Sequence, residues 1–445
     1  MNDASPSSGV GAELKALLVL CAPLAIMELS HSGIAALNTA FAAPLGAVEQ
    51  SGMGLGNVIL FSATVLGMGL VLGFDALFSQ AFGAGEEREA SHFAWQAAWM
   101  SLLASVPVMA LLVAFCFALP HIGLDPGTAD ATARYTLART PATIPFLVGV
   151  AARGYLQARG DLRPILIGSG ISVVLNVPIA KALILGSDAL GFEGLGVAGA
   201  GWASTFAAVV MTVVMLLGVG RPIGGRRIEW ATIRRAARLG MPLSGQLFAE
   251  VGMFSLVTFL IGYFGPEALT GHHIALTLSS LTFQVSLAIG AAASVRVGRA
   301  IGRSDIAGTR RAGFTAVALG LGFMGISSAV FWAFPRPMAE LLADERGAVT
   351  AAVSLIYVAA AFQIADGVQA VAAGVLRGAG DTTPVFFANL LGHYVLGLPI
   401  GLALTYGLGL GPVGLWWGLS AGLSVVAVAL VWRFHRLSRR AIARS

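Results

Sequence analysis

The sequence predicts an all-α membrane protein of about twelve transmembrane helices arranged as two parallel six-helix repeats. Three observations predict it: a composition too apolar for water, basic residues that collect in alternate connections, and motifs that recur halfway along the chain. Of the 445 residues, 57% are hydrophobic and only 11% are charged, and mean hydropathy is +0.82. An ordinary soluble domain carries roughly 25% charged residues. The apolar residues come in blocks of about 20 to 30, long enough to cross ~30 Å of hydrocarbon as helix. Residues 100–119, 314–334 and 414–432 contain no charge at all.

Taken in order, the spans fall at 14–37, 52–80, 92–118, 130–155, 163–185, 196–219, 236–263, 268–298, 308–333, 348–375, 383–406 and 412–432. Basic residues then gather in every second connection. Arg159 and Arg163 follow the fourth span, and Arg221, Arg226, Arg227, Arg234, Arg235 and Arg238 separate the sixth from the seventh. Arg299, Arg303, Arg310 and Arg311 follow the eighth; Arg433, Arg436, Arg439, Arg440 and Arg444 follow the twelfth. The opposite connections are neutral or acidic, as in 186–195 with Asp188 and Glu193. The positive-inside rule places both termini in the cytoplasm of a multi-pass bacterial inner-membrane protein. The arginines suit anionic lipid headgroups, so membrane lipid is the expected partner and nucleic acid is not. Residues 1–12 read as a polar tail without the basic start of a cleaved leader. Cys21 and Cys116 lie inside apolar runs and read as small buried side chains, not as a disulfide or metal site.

The repeat defines the domains. Gly154-Tyr-Leu-Gln-Ala-Arg-Gly-Asp-Leu-Arg-Pro164 realigns on Gly374-Val-Leu-Arg-Gly-Ala-Gly-Asp-Thr-Thr-Pro384 at a shift of 220 residues. Pro23 and Pro242 differ by 219, as do Gly83 and Gly302; Pro178 and Gly186 match Pro399 and Gly407 at 221. Matches at nearly constant offset indicate duplication. The expected division is an N-terminal cytoplasmic tail (1–13), an N-lobe (14–219), a cytoplasmic linker (220–235), a C-lobe (236–432) and a basic C-terminal tail (433–445). Each half holds an even number of spans, so the repeats are parallel and leave a cavity between two lobes that can rock. That layout suits a secondary transporter.

An ionisable group at membrane depth costs about 2.5–3.5 kcal/mol on insertion scales and so needs a reason. The expected set is Glu28, His31, Asp75, Lys181, Glu250 and Asp366. Glu250 lies mid-way along the seventh span with Gln246 four residues before it. Asp366 lies mid-way along the tenth with Gln363 and Gln369 three residues to either side. Helical spacing puts these amides on the faces of the acids. Two desolvated carboxyls near one another can hold and release a proton near neutral pH, or bind a dehydrated Na⁺. In the first half, Glu28, His31 and Asn38 share a face of the first span, and Asn176 precedes Lys181 in the fifth. Lys181 reads either as a cavity cation or as a residue snorkelling to the outer surface. His31 reads as a packing residue, Asp75 as a structural carboxylate at a helix end, and Pro23 and Pro242 as structural.

Several of these segments resemble the multidrug and toxic compound extrusion (MATE) family, in its NorM-like branch. They are Ala249-Glu250-Val-Gly-Met-Phe, Gly271-His272-His273-Ile-Ala-Leu-Thr-Leu-Ser-Ser280, Ser294-Val-Arg-Val-Gly298 and Phe362-Gln-Ile-Ala-Asp366-Gly-Val-Gln369, with Gln80-Ala-Phe-Gly-Ala-Gly85 and Asn176-Val-Pro178 in the first half. The resemblance, from about residue 14 to residue 432, implies a two-lobed antiporter exporting cationic or amphipathic organic compounds against inward Na⁺ or H⁺. It carries the cation site onto Glu250 and Asp366, and it implies no cofactor and a monomer.

The chain departs from the family pattern in three places. Asn38 stands where an aspartate is common. Ala180, followed by Lys181, stands where a second polar residue is frequent. Phe362 stands where a tyrosine often precedes the tenth-span acid by four. An asparagine cannot cycle a proton, so coupling is expected in the second half. A first half that has lost an acid would favour anionic or zwitterionic cargo if Lys181 faces the cavity. A lipid-linked precursor flippase is the alternative of different class, but it would need a strongly cationic cavity. A major-facilitator transporter would need a basic second-to-third connection where this chain has Gly83-Ala-Gly-Glu-Glu-Arg-Glu89. A membrane enzyme would need a nucleophile–base pair or metal cluster.

Overall fold

The structure is a computed structural model that describes residues 9–187, 191–222 and 225–445. Asp188 and the first eight residues of the N-terminal tail lie outside the described residues, as do positions 223 and 224 of the linker. Among the described residues, eleven helical segments are long and apolar enough to cross a membrane. They are built from α1 (Val10–Ala42), α2 (Ala47–Leu72) with α3 (Phe74–Gly83), α4 (Glu87–Ala118), α7 (Arg163–Leu185), α8 (Val197–Val219), α9 (Trp230–Gly262), α10 (Pro266–Gly302), α11 (Ile306–Ala333), α13 (Arg346–Gly378), α14 (Thr383–Leu390) with α15 (Leu398–Leu402), and α16 (Pro412–Leu437). A short α12 (Pro335–Glu340) precedes α13.

The remaining expected span, 130–155, is helical but broken. α5 (Pro126–Arg139) and α6 (Thr143–Arg159) are joined by a 3₁₀ turn over Thr140–Ala142, where Pro141 has no N–H to give to a continuous helix. Asp125 caps α5 by accepting from the Thr128 amide at 2.9 Å. The second span breaks at Gly73, where a Cβ would lie 2.3 Å from the Ala236 carbonyl oxygen. The eleventh is widened by π-helical segments at Leu391–Gly397 and Ala403–Gly407. A two-residue hairpin, β1 (Gly186–Ser187) against β2 (Phe192–Glu193), closes the connection after α7 and has no counterpart in the periodicity.

Several helices outrun their apolar runs, because polar residues do not end a helix as glycine or proline does. α1 starts at Val10, inside the expected tail 1–13. α9 starts at Trp230, carrying Arg234 and Arg235 of the expected 220–235 linker. α16 continues to Leu437, into the expected tail from 433.

The segment between α8 and α9 is pinned to α4. Trp95 Nε1 donates to Pro222 O (3.2 Å), Trp99 Nε1 to Arg226 O (2.8 Å) and Gln96 Nε2 to Arg227 O (2.9 Å). The His92 ring shares a 2.6 Å hydrogen bond with Glu229. That bond, and a second from Thr232, hold the Glu229 carboxyl below the usual carboxylate range.

The chain divides into two compact units. The first holds Ile26–Phe78 and Glu86–Ser244; the second holds Met1–Ala25, Ser79–Gly85 and Gly245–Ser445. These differ from the halves 14–219 and 236–432. The opening of α1 and the end of α3 belong with the second unit, and the opening of α9 belongs with the first. Pro23 and Pro242 each lie two residues before the point where their helix changes unit.

Glycines permit the packing that causes this. In the first unit, a Cβ on Gly240 would lie 2.5 Å from Leu70 O, so α9 opens in backbone contact with α2. In the second, a Cβ on Gly83 would lie 2.3 Å from Arg299 O. The first unit's core includes Leu60, Tyr135, Ala180 and Val197, and the second's includes Met253, Phe362, Trp416 and Leu419.

Candidate functional site

In the second unit, α9 and α13 bring Glu250 and Asp366 together, close enough for their charges to interact. Gln246 and Gln369 both donate Nε2 to Glu250 Oε1, at 3.1 and 2.9 Å. Gln369 Nε2 also reaches Asn389 Oδ1 on α14 at 3.0 Å, and the Asn389 amide donates to Val385 O at 2.9 Å. Glu250 Oε1 is therefore fixed by two amides, while among the described residues Oε2 takes no hydrogen bond. Asp366 is 8% exposed and accepts none from them. An oxygen already oriented, beside a second carboxyl with open acceptor capacity, is a donor set for a proton or a small hard cation.

The wall around this pair is apolar. Phe362 packs edge-on against Phe254 and Trp416, with ring centroids 6.2 and 5.5 Å apart. Its position therefore serves the core and not the cation. Tyr394 does bring a hydroxyl to α9, but donates it to Ala249 O at 2.9 Å. Gln363 does not join the acids: its Oε1 accepts from Thr282 (2.7 Å) and Ser327 (2.6 Å). At ~100° per residue, positions three before and three after Asp366 stand about 120° apart, so only one can face α9. His272 of the recognised motif accepts at Nδ1 from Trp416 Nε1 (3.1 Å) and shares Nε2 with Thr258 (2.8 Å). Since indole only donates, that imidazole is committed to packing.

The first unit is built differently. Asn38 donates to Ser204 Oγ and accepts from Asn176 Nδ2, both at 2.9 Å, which ties α1 to α8 and α7. Glu28 pairs with Arg153 of α6 at 2.8 Å, and His31 Nε2 lies 3.1 Å from Met211 Sδ. Lys181 is not brought to this network. It is exposed, off the buried stripe of α7 that holds Asn176 and Ala180, on the face of exposed Val174, Val177 and Leu185. Asp75 lies under α6, its Oδ1 2.7 Å from where a Cβ on Gly154 would stand. It occupies a helix start, Phe74–Gly83, and not the expected helix end.

Two intramembrane charges were missing from the expected set: Arg139 and Arg153. Both lie inside the interrupted span and were legible as charges within 130–155. A third omission is His393, one turn beyond Asn389, 1% exposed with neither ring nitrogen hydrogen-bonded.

The MatE family pattern matches residues 23–181 and again 242–402, once in each half. A probable multidrug resistance protein NorM of Rhodopseudomonas palustris is 35% identical, covering 98% of this chain and 94% of that protein. The multidrug resistance protein MdtK of Edwardsiella ictaluri is 31% identical, covering 96% of each. A solved eukaryotic MATE transporter superposes with a TM-score of 0.87 at 21% identity, covering 98% of this chain and 99% of that one; at that identity the likeness speaks for the fold. A family pattern found twice and relatives alike over nearly their whole length lead to one conclusion: this multi-pass membrane protein belongs to the MatE family.

Proposed function

We propose that the protein is a secondary active antiporter that exports amphipathic or cationic organic compounds from the cytoplasm in exchange for inward Na⁺ or H⁺. The observation that carries this reading is the pair Glu250–Asp366 within the apolar second unit, with Gln246 and Gln369 fixing one Glu250 oxygen and leaving the other free. Binding of a cation neutralises the pair, and release restores two neighbouring negative charges. A ligand with that much electrostatic difference between bound and free forms can bias two access states, provided substrate binds those states unequally.

The alternate clustering of arginines supports cytoplasmic termini in a bacterial inner membrane, with lipid headgroups as the charged surroundings. A complete pair in one chain supports a functional monomer. The relatives named for multidrug resistance support drug-like cargo.

Inside-out vesicles carrying wild type, Glu250→Gln or Asp366→Asn test the reading. Dye uptake is driven by a Na⁺ gradient or a pH gradient, each imposed alone. Wild type responds to one gradient and each variant loses that response by at least about tenfold, the scale of a full coupling free energy. Undiminished cation-driven uptake in both variants overturns the assignment.

A further inference from the structure

Arg139 ends α5 near the middle of the interrupted span, at membrane depth. Its Nη1 donates to Asn57 Oδ1 and to the Tyr135 hydroxyl at 2.7 Å, and its guanidinium carbon lies 5.9 Å from the Tyr135 ring centroid. All of these partners are neutral. Among the described residues no carboxylate is paired with Arg139 and its Nε and Nη2 have no hydrogen-bond acceptor, yet neither is sealed from its surroundings.

The surroundings sharpen the point. His31, exposed on α1, lies within electrostatic reach of Arg139, Arg153 and Glu28. Glu28 is already spent on Arg153. One negative and two positive charges, on α1, α6 and α5, therefore lie within electrostatic reach of His31 in the first unit, leaving one guanidinium without a carboxylate among the described residues. An arginine held by neutral groups, with its remaining fork donors open, matches the planar geometry of a carboxylate. In the hydrocarbon region such a charge calls for a counter-group, and the described residues provide none.

We propose that Arg139 is a substrate-binding residue that takes the carboxylate of an amphipathic zwitterionic or anionic cargo, with the Tyr135 ring beside it. This rests on the exporter reading and deepens it by naming a cargo class. It also relocates the electropositive character expected of the first half from Lys181 to Arg139.

The test uses two matched xanthene dyes in proteoliposomes of the full chain. Rhodamine 110 carries a free carboxylate, and rhodamine 123 is its methyl ester and a plain cation. Wild type handles both, and Arg139→Gln weakens apparent affinity for rhodamine 110 about tenfold while rhodamine 123 is unchanged or improved. That is the size of one lost charge-assisted hydrogen bond. Continued rhodamine 123 transport shows that the variant folds, and Arg139→Lys restores part of the rhodamine 110 affinity. Glu28→Gln, which frees Arg153, raises the preference for rhodamine 110. An unchanged dye ratio in Arg139→Gln with transport intact overturns this site and leaves the exporter reading standing. Failure of wild type to move either dye contradicts the exporter reading itself.

Discussion

Eight residues past its proline, α1 carries His31 and α9 carries Glu250, and the two repeats diverge from that point. In the second unit, the acid is held by two glutamine amides and faces a second acid, with no arginine among the described residues paired to either. In the first, the equivalent position is an imidazole beside two arginines and one glutamate. Duplication supplied the same helices twice, and a few substitutions gave them opposite electrostatic character. A small cation suits an unneutralised acid pair; an organic anion suits an uncompensated guanidinium. On the two proposals together, one scaffold separates the coupling ion from the cargo by charge.

Neutralising either acid should break this comparison most severely, because Glu250→Gln and Asp366→Asn remove the charge on which coupling depends. Next comes Gln369→Leu, which leaves Glu250 Oε1 with one donor fewer and Asn389 Oδ1 with none. A buried hydrogen-bond loss of about 1–3 kcal/mol should lower gradient-driven uptake several-fold without abolishing it. An unaltered rate would mean the amides do not position the acid.

In the first unit the expected effects are on stability. Arg153→Ala strands Glu28 and should cost about 1–3 kcal/mol. That is less than the ~3–5 of a fully buried pair, since both groups keep some solvent access. By contrast Arg336→Ala in the second unit, from an exposed pair four residues apart on α12, should change the melting temperature little, because such pairs give ~1 kcal/mol or less. Equal shifts in the two variants would deny that the Glu28–Arg153 pair is special. Smallest of all in its effect on transport, Asn38→Asp keeps its acceptance from Asn176 but loses its donation to Ser204. It puts an ionisable group at membrane depth, which should lower stability by about 2.5–3.5 kcal/mol while leaving the coupling ion unchanged. A new pH dependence of transport in Asn38→Asp would show that the first unit can also couple.

Much of this was readable in the residues. Eleven spans follow from apolar length alone. The twelfth was readable as apolar density but not as a break, because the Thr140–Ala142 turn depends on one proline meeting its neighbours in three dimensions. Glu250, Asp366, Gln246 and Gln369 were legible because isolated polar groups in an apolar helix stand out, and i to i+4 spacing fixes their face. Gln363 was misplaced because equal spacing from Asp366 does not mean a shared face. Arg139 and Arg153 were overlooked because the span containing them is the least apolar, so its charges look like a loop's. The exchange of helix openings between units leaves no periodic signal; it depends on glycines such as Gly83 and Gly240 meeting distant backbones.

The central claim is that the second unit couples and the first unit selects. It is tested most directly by measuring dye binding and gradient-driven dye uptake side by side in Glu250→Gln and Asp366→Asn. The account predicts that both variants bind rhodamine 110 with an affinity close to that of wild type, yet fail to respond to the ion gradient that drives wild type. Variants that lose dye binding in parallel with uptake, or that keep the full gradient response, would contradict it.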